Sequence, residues 1–317
     1  LTPHDPIIDV GRLPPQQARD LLELLHARLA GEPAQPRPLA WTPESVRRFW
    51  DGQAQTQSMA QGFAALGGES FVSAVAHLIS SQDRILDFGA GDGQLVEILC
   101  RRGYQAAAFE PSAQRTATLT KKLAGLDGFL GVLGPDSGQT FDVVLLTEVI
   151  EHVLEPELDG FLYGLGAMLK PGGLLIVTAP NSENLERSRV YCPVCDASFH
   201  RWQHVRSLDR NSLPALLSKY GFDEVATHCL EFSENLFSVQ ESETGEGDKK
   251  ADPPSHITMI RENRPVTIGS EANLLYIGRK KNGLSMAERV SLRRGEVGVF
   301  CARVLRKLRT MWRLSGR

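Results

Sequence analysis

The sequence predicts an α/β protein, a parallel sheet with helices packed on both of its faces. Two observations lead there. From Arg84 onward, apolar runs of strand length alternate with segments of helical periodicity, at the spacing of βαβ units. The first run then closes in a glycine-rich turn, Gly89-Ala90-Gly91-Asp92-Gly93, of the kind that joins a strand to the helix after it. Right-handed crossovers distribute the helices over both faces.

Length and composition set the bounds. With 317 residues, 42% of them hydrophobic, the chain can bury the core of one large domain or two small ones. The longest apolar run, Gly173 to Ala179, is strand-sized and far short of the ~18 residues of a membrane span. Leu1-Thr2-Pro3-His4-Asp5 lacks the basic patch and apolar stretch of a secretory signal. Five cysteines are too few for a disulfide scaffold. Disordered, collagenous, coiled-coil and channel classes are thereby excluded, and a cytoplasmic globular protein is expected. The net charge of −3 hides an asymmetry, because from Arg279 to Arg317 twelve Lys or Arg face only Glu288 and Glu296. A basic arm on an acidic body follows.

Each element has its own signal. Residues 14–30 carry Leu21, Leu22, Leu25 and Leu29 at helical spacing, and the Pro-rich stretch Pro33–Pro38 reads as a linker or change of direction. Thr42-Pro43-Glu44 opens a helix bearing Phe49 and Trp50, and another runs through Phe71 to Ile79. Strands are expected at Ile85–Phe88, Gln105–Phe109, Gly128–Leu133, Phe141–Leu146 and Leu174–Thr178. The helices between them include one that opens at Pro111 and one from Pro156 to Leu169, and Lys170-Pro171-Gly172-Gly173 forms a turn. A helix near Asn211–Tyr220 and strands near Glu224–Cys229 and Leu274–Arg279 complete the core, with a mobile polar insert at Glu241–Asp252.

Ligands of an open α/β sheet bind beyond the carboxyl ends of its strands, and glycines there let the backbone approach them. A dinucleotide fingerprint would place its third glycine at 94, but that residue is Gln94 and the glycine falls at Gly93. Asp87, just before the turn, can receive an amine. Glu110, at the end of the second strand, can accept hydrogen bonds from both hydroxyls of a ribose.

The ordered segments ILDFGAGDG, AFEPS, FDVVLLTEVIEHV and LKPGGLLIVTAPN resemble those of a class I S-adenosylmethionine-dependent methyltransferase, over about residues 80–280. The resemblance implies a Rossmann-like seven-stranded sheet, six strands parallel and an antiparallel one at the edge. It implies S-adenosylmethionine as cofactor, with Gly89, Gly91 and Gly93 along its methionine and ribose portion and Asp87 near its amino group. Glu110 would hold the ribose, and Thr147 would stand on the cofactor side after the fourth strand. The family's adenine-contacting acid after the third strand has no clear counterpart here; Asp127 and Asp136 both flank that region.

Two clusters carry further chemistry. Glu148, Glu151 and His152 follow the fourth strand, and on a helix Glu148 and His152 would share a face. They suit a general base, with His152 first, or a hard divalent cation. The segment resembles EVIEH of ubiquinone-biosynthesis O-methyltransferases, and also plant small-RNA 2′-O-methyltransferases, in which two glutamates and histidines bind a metal. The alternative is that Glu148 contacts cofactor while Glu151 or His152 caps or packs. The second cluster, Cys192, Cys195, His200 and His204, has the spacing of a zinc knuckle with its histidines on one helical face. His204 is claimed by both.

The expected organisation is a helical lid over residues 1–80, a methyltransferase domain over 81–282 with a Cys/His insert at 190–206, and a basic amphipathic helix over 283–317. That helix suits an anionic membrane surface, against the alternative of docking on the body. The expected activity is O-methylation of a small-molecule, saccharide or lipid-linked hydroxyl; an acidic body does not suit nucleic acid. A nicotinamide-dependent oxidoreductase and an inactive binding protein with a zinc knuckle are the other readings.

Overall fold

A computed structural model of the chain describes residues 14–29, 35–56, 62–134, 137–232, 255–267 and 272–282. The expected polar insert at Glu241–Asp252, the basic segment 283–317 and Asp136 lie outside the described residues. In chain order the helices are α1 (Pro15–Leu29), α2 (Pro43–Gln53), α3 (Phe63–Val75), α4 (Gln94–Arg101), α5 (Ala113–Leu123), α6 (Glu155–Met168), α7 (Ser212–Ser218) and α8 (Ser255–Arg261). The strands are β1 (Arg37–Pro38), β2 (Arg84–Phe88), β3 (Gln105–Phe109), β4 (Phe129–Val132), β5 (Phe141–Thr147), β6 (Leu169–Pro180), β7 (Arg189–Tyr191), β8 (Ala197–His200), β9 (Phe222–Leu230) and β10 (Asn273–Lys280).

Two compact units result. Among the described residues, the smaller comprises those up to Ala40 together with Glu186–Trp202, and the larger comprises the rest. Helices α2 and α3, grouped with the lid by the sequence, belong to the unit that holds the main sheet.

In the larger unit the seven-stranded sheet has the order β4-β3-β2-β5-β6-β10-β9. Strands β4, β3, β2, β5 and β6 pair in parallel, and β10 pairs antiparallel with both β6 and β9. The antiparallel strand is therefore one place in from the edge, not at the edge as expected. The reason is legible in its composition: Leu274 to Ile277 is apolar on both sides and fully buried, the pattern of a strand flanked and covered.

The core lies on both faces. Ile85, Val143, Leu145 and Ile176 point to one, where Phe71 and Val75 of α3, Leu95 and Leu99 of α4 and Leu119 and Leu123 of α5 pack. Leu86, Val144, Leu146, Leu175 and Val177 point to the other, against Leu158, Leu162 and Leu165 of α6 and Leu213 and Leu217 of α7. This alternation explains why β5 and β6 read as continuous apolar runs. The expected turn at Lys170–Gly173 is an irregularity inside β6: Leu169 pairs with Phe141, and regular pairing resumes at Val143 with Leu174.

The smaller unit contains α1 and a three-stranded sheet, β1-β8-β7. The end of the Pro-rich stretch supplies β1, which pairs parallel with β8, while β7 and β8 form an antiparallel hairpin. Arg189 clasps that hairpin through Nη2 to the Ser198 carbonyl (3.0 Å) and Nε to its hydroxyl (3.1 Å).

One buried group makes the larger unit sensitive to acid. His228 of β9 is wholly buried, and neither ring nitrogen has a hydrogen-bond partner. Burial, with the charges of His77 and Arg210, pushes its pKa down from 6.5 to about 4. The unfolded chain takes up this proton as pH falls through about 6.5, while the folded chain refuses it until about 4. Stability is thus lost across that window, by up to roughly 3 kcal/mol. His228→Leu is expected to lose less Tm than wild type between pH 7.5 and 4.5 in thermal melts; equal losses would clear His228 of the acid sensitivity.

Candidate functional site

The chain leaves β2 toward β3 and β4 on one side and returns to β5 on the other. Loops after β2 and β5 diverge at this reversal and open a crevice at the carboxyl ends of the strands, the usual ligand position in an open α/β sheet. Four loops deliver side chains there: Gly89–Gly93 after β2, Glu110 after β3, Glu148–His152 after β5 and Asn181–Glu183 after β6.

The glycine turn is shaped by its neighbours. Gly89 has φ +90°, and a Cβ there would stand 2.6 Å from Val149 Cγ2. Gly91 has φ +55°, and its Cβ would come within 2.9 Å of the Arg115 guanidinium. Both positions favour glycine on conformation, and Gly89 on space as well. The amides of Gly89 and Ala90 donate to the Phe109 carbonyl at 2.8 and 3.0 Å, tying the turn to the end of β3.

Glu110 completes the tie. Its carboxylate accepts the Gly91 N–H at 2.9 Å and the Ser112 N–H at 2.8 Å. Burial raises its pKa, opposed by Arg115 and by these two amides. Asp87 is 1% exposed, and its Oδ1 has no donor. Burial, helped by the charge of Glu110, lifts the Asp87 pKa to about 7. A buried carboxyl lacking a donor, above a turn that favours glycine, fits a ligand presenting an ammonium group, as the methionine end of S-adenosylmethionine does. Asp87, Gly89, Gly91, Gly93 and Glu110 are thus brought to one place. Asp127 is exposed in the turn before β4.

Beyond β5 the local expectation fails. Thr147 ends the strand opposite Thr178, but Glu148 then takes φ +52° and Ile150–His152 forms a single 3-10 turn. Glu148 and His152 therefore do not share a helical face. A left-handed glutamate is strained, and the structure holds it by its N–H, which donates to the carbonyl (3.1 Å) and hydroxyl (3.2 Å) of the buried Thr178. Its carboxyl, raised in pKa by desolvation, accepts from Asn273 Nδ2 at 3.3 Å.

Glu151 is the more deeply buried of the two glutamates. It is 1% exposed, both of its carboxyl oxygens lack a hydrogen-bond partner, and burial together with the charge of Glu148 raises its pKa. Ligand atoms of Glu151, His152 and His204 lie within 4.8 Å of one another. The His152 and His204 rings have centroids 4.9 Å apart, and Trp50 stands edge-on to His152 at 4.8 Å. Trp50 Nε1 donates to Gln203 Oε1 (3.1 Å), whose Nε2 donates to the His152 carbonyl (3.0 Å). A carboxylate and two imidazoles make a donor set for a divalent cation.

Cys192, Cys195 and His200 belong to the smaller unit and His204 to the larger. His200 ends β8 and residues 203–207 are irregular, so no helical face joins the two histidines. The reason is local: Gln203 has φ +62°, which a continuing helix does not allow. Cys192–Cys195 form the tip of the β7–β8 hairpin, closed by Cys192 N–H to the Ala197 carbonyl (2.8 Å) and by Asp196 at φ +57°. Among the described residues, neither cysteine joins a group of three metal-holding side chains.

Sequence reading missed Glu183, Gln203, Asn273 and Thr178. Glu183 follows the predicted strand directly, in Asn181-Ser182-Glu183, and strand-end position was its one available signal. Ser112 and Asp51 were missed too: Ser112 Oγ donates to Asp51 Oδ1 at 2.9 Å, linking α2 to the Glu110 tie.

The strand order and the glycine turn with its two acids define the class I S-adenosylmethionine-dependent methyltransferases. The chain belongs to the methyltransferase domain family, whose model matches residues 18–227. It is 38% identical over 105 residues to a ubiquinone biosynthesis O-methyltransferase of Methylocella silvestris and 37% identical to one of Bradyrhizobium sp.. Each match takes in 31% of this chain and 40% of the relative, so the chain spans well under half the length of these relatives. The solved complex between the Haloferax volcanii Trm112 methyltransferase activator and a methyltransferase matches with a TM-score of 0.51 at 15% identity, over 76% of this chain and 99% of that one. It shares the fold. Family membership sets aside the nicotinamide reading, and no described helix is long and apolar enough to cross a membrane.

A pH dependence of donor binding is expected if Asp87 meets the ammonium group. An ammonium-bearing ligand favours the ionised carboxylate, so affinity for S-adenosylhomocysteine is expected to fall as pH drops below about 7, approaching tenfold per unit. Asp87→Asn should bind more weakly at pH 8 and lose the slope. Calorimetry from pH 6 to 8 measures both, and an unchanged slope in the variant would remove Asp87 from the contact.

Proposed function

We propose that the chain is an O-methyltransferase whose acceptor hydroxyl, on a small molecule, saccharide or lipid-linked compound, is activated at Glu151, His152 and His204. One observation carries this reading: the Glu151 carboxyl is buried with neither oxygen hydrogen-bonded, and two imidazoles stand within ligand distance of it. An unpartnered buried carboxylate is costly and calls for a positive partner. Glu151, His152 and His204 would hold a divalent cation, which when bound would lower the pKa of a hydroxyl on it.

The chain's own residues supply the rest. Asp87 and Glu110 orient the donor from β2 and β3, while the Glu151 cluster leaves β5, the strand beside β2, so methyl donor and acceptor meet at neighbouring strand ends. In the transfer the acceptor oxygen bonds the methyl carbon as the carbon–sulfur bond breaks, and positioning for that in-line displacement is the main contribution of the protein. The hydroxyl proton passes to Glu148, whose carboxyl desolvation keeps basic. Trp50, held by Gln203, walls the acceptor side. The O-methyltransferase names of the matched relatives support the choice of a hydroxyl over an amine.

With His204 assigned here, a structural zinc at Cys192 and Cys195 becomes a separate proposal. Elemental analysis of purified protein addresses both. Glu151→Gln and His152→Ala are expected to abolish one metal equivalent and to lower methyl transfer to cell-extract acceptors at least 100-fold, leaving S-adenosylhomocysteine binding within about threefold. The pair Cys192→Ser and Cys195→Ser should remove zinc alone. Full activity in metal-free wild type would overturn the cation reading.

A further inference from the structure

We propose that Glu183 is a positioning residue of the acceptor site: it fixes His204 through Nδ1 and aims Nε2 of that ring at Glu151 and His152. The proposal rests on the cation reading above for its purpose, but the bond it invokes is present in the structure. His204 Nδ1 is hydrogen-bonded to Glu183 Oε2. A carboxylate can only accept, so Nδ1 carries a proton, and in the neutral ring Nε2 is then the nitrogen with the lone pair.

Both partners are held in place by other contacts. The Glu183 loop is anchored on either side of β6 by Asn181 N–H to the Ala272 carbonyl (2.9 Å) and Ser182 N–H to the Leu208 carbonyl (2.7 Å). The His204 segment is laced onto the 3-10 turn at three points. Gln203 Nε2 reaches the His152 carbonyl at 3.0 Å, Val205 N–H the Glu151 carbonyl at 2.9 Å, and Arg206 Nη1 the Ile150 carbonyl at 3.0 Å.

The pair is not a solvated surface contact, because the His204 side chain is 9% exposed and that of Glu183 20%. Water and salt screen it little, so it can hold a tautomer and a ring orientation that an exposed pair would not. A carboxylate on the far nitrogen of a ligating imidazole is the general device for orienting such a ring and strengthening its donation. Glu183 is the group in this fold that does so for His204.

Cobalt(II) is the probe, titrated into the full chain while its visible bands are followed, together with 15N spectra of the histidine rings. Glu183→Ala is expected to weaken Co²⁺ binding 10- to 100-fold, and Glu183→Gln, which keeps an acceptor, to weaken it less. The band envelope of the Glu183→Gln complex should match wild type, whereas His204→Ala should change it. The ring spectra should show His204 protonated at Nδ1 in wild type and no longer fixed there in Glu183→Ala. Wild-type affinity in Glu183→Ala would overturn the proposal. So would a Glu183→Gln spectrum like that of His204→Ala, which would make Glu183 itself a ligand. If wild type binds no Co²⁺, the cation reading fails by itself; the tautomer then decides, a Glu183-dependent Nδ1 proton supporting the positioning role and an unchanged tautomer refuting it.

Discussion

The parallel pairing of β2 with β5 is the constraint on which the rest of the molecule depends. Ile85 lies opposite Val143, Leu86 opposite Val144 and Asp87 opposite Leu145. Because both faces of these strands are buried, a slip of one residue would turn each apolar set toward the wrong layer, so the register has little freedom. Adjacent strands sit about 4.8 Å apart. The glycine turn and the Glu148–His152 segment are consequently neighbours, and a crevice opens between them where the order of strands reverses. The two loop groups that line the crevice owe their proximity to that pairing.

Negative charge is the second theme of the crevice. Asp87, Glu110 and Glu151 are buried along the carboxyl-terminal edge of the sheet, and Glu148 is desolvated there too. Burying a carboxylate costs several kcal/mol unless it is paired. Glu110 is compensated from within by two backbone amides and by Arg115. Asp87 has no such compensation and Glu151 only the more distant charge of Arg206, and burial raises the pKa of both. An edge left short of positive charge suits a ligand that brings it, and a sulfonium donor with an ammonium group brings two. Binding such a ligand stabilises the fold by mass action as well.

Helix α2 spans the two halves. Trp50 and Asp51 are consecutive and so project about 100° apart around the helix. Asp51 accepts from Ser112 beside the Glu110 tie, while Trp50 meets His152 and Gln203. Arg47 adds a second grip on Asp51 at 2.8 Å. A helix that the sequence places in a lid thus forms part of the wall of the site.

The sequence by itself determined the alternation of strands and helices, the glycine turn, and the acids at the ends of β2 and β3, because these follow from local periodicity and from backbone conformations that glycine adopts most readily. It also carried the family, since those features recur at fixed spacing within one unit of chain. Tertiary structure decided the rest. The inward place of β10 depends on which strands it pairs with, and the left-handed turn at Glu148 is held by Thr178, thirty residues away. His204 is drawn to Glu151, His152 and Glu183 by hydrogen bonds from a segment with no regular structure. Spacing on an assumed helix left it between that cluster and the cysteines. Periodicity reports which neighbours a residue has along one element; it carries no information about a ligand set gathered from three loops, because that set exists only once the strands beneath them have paired.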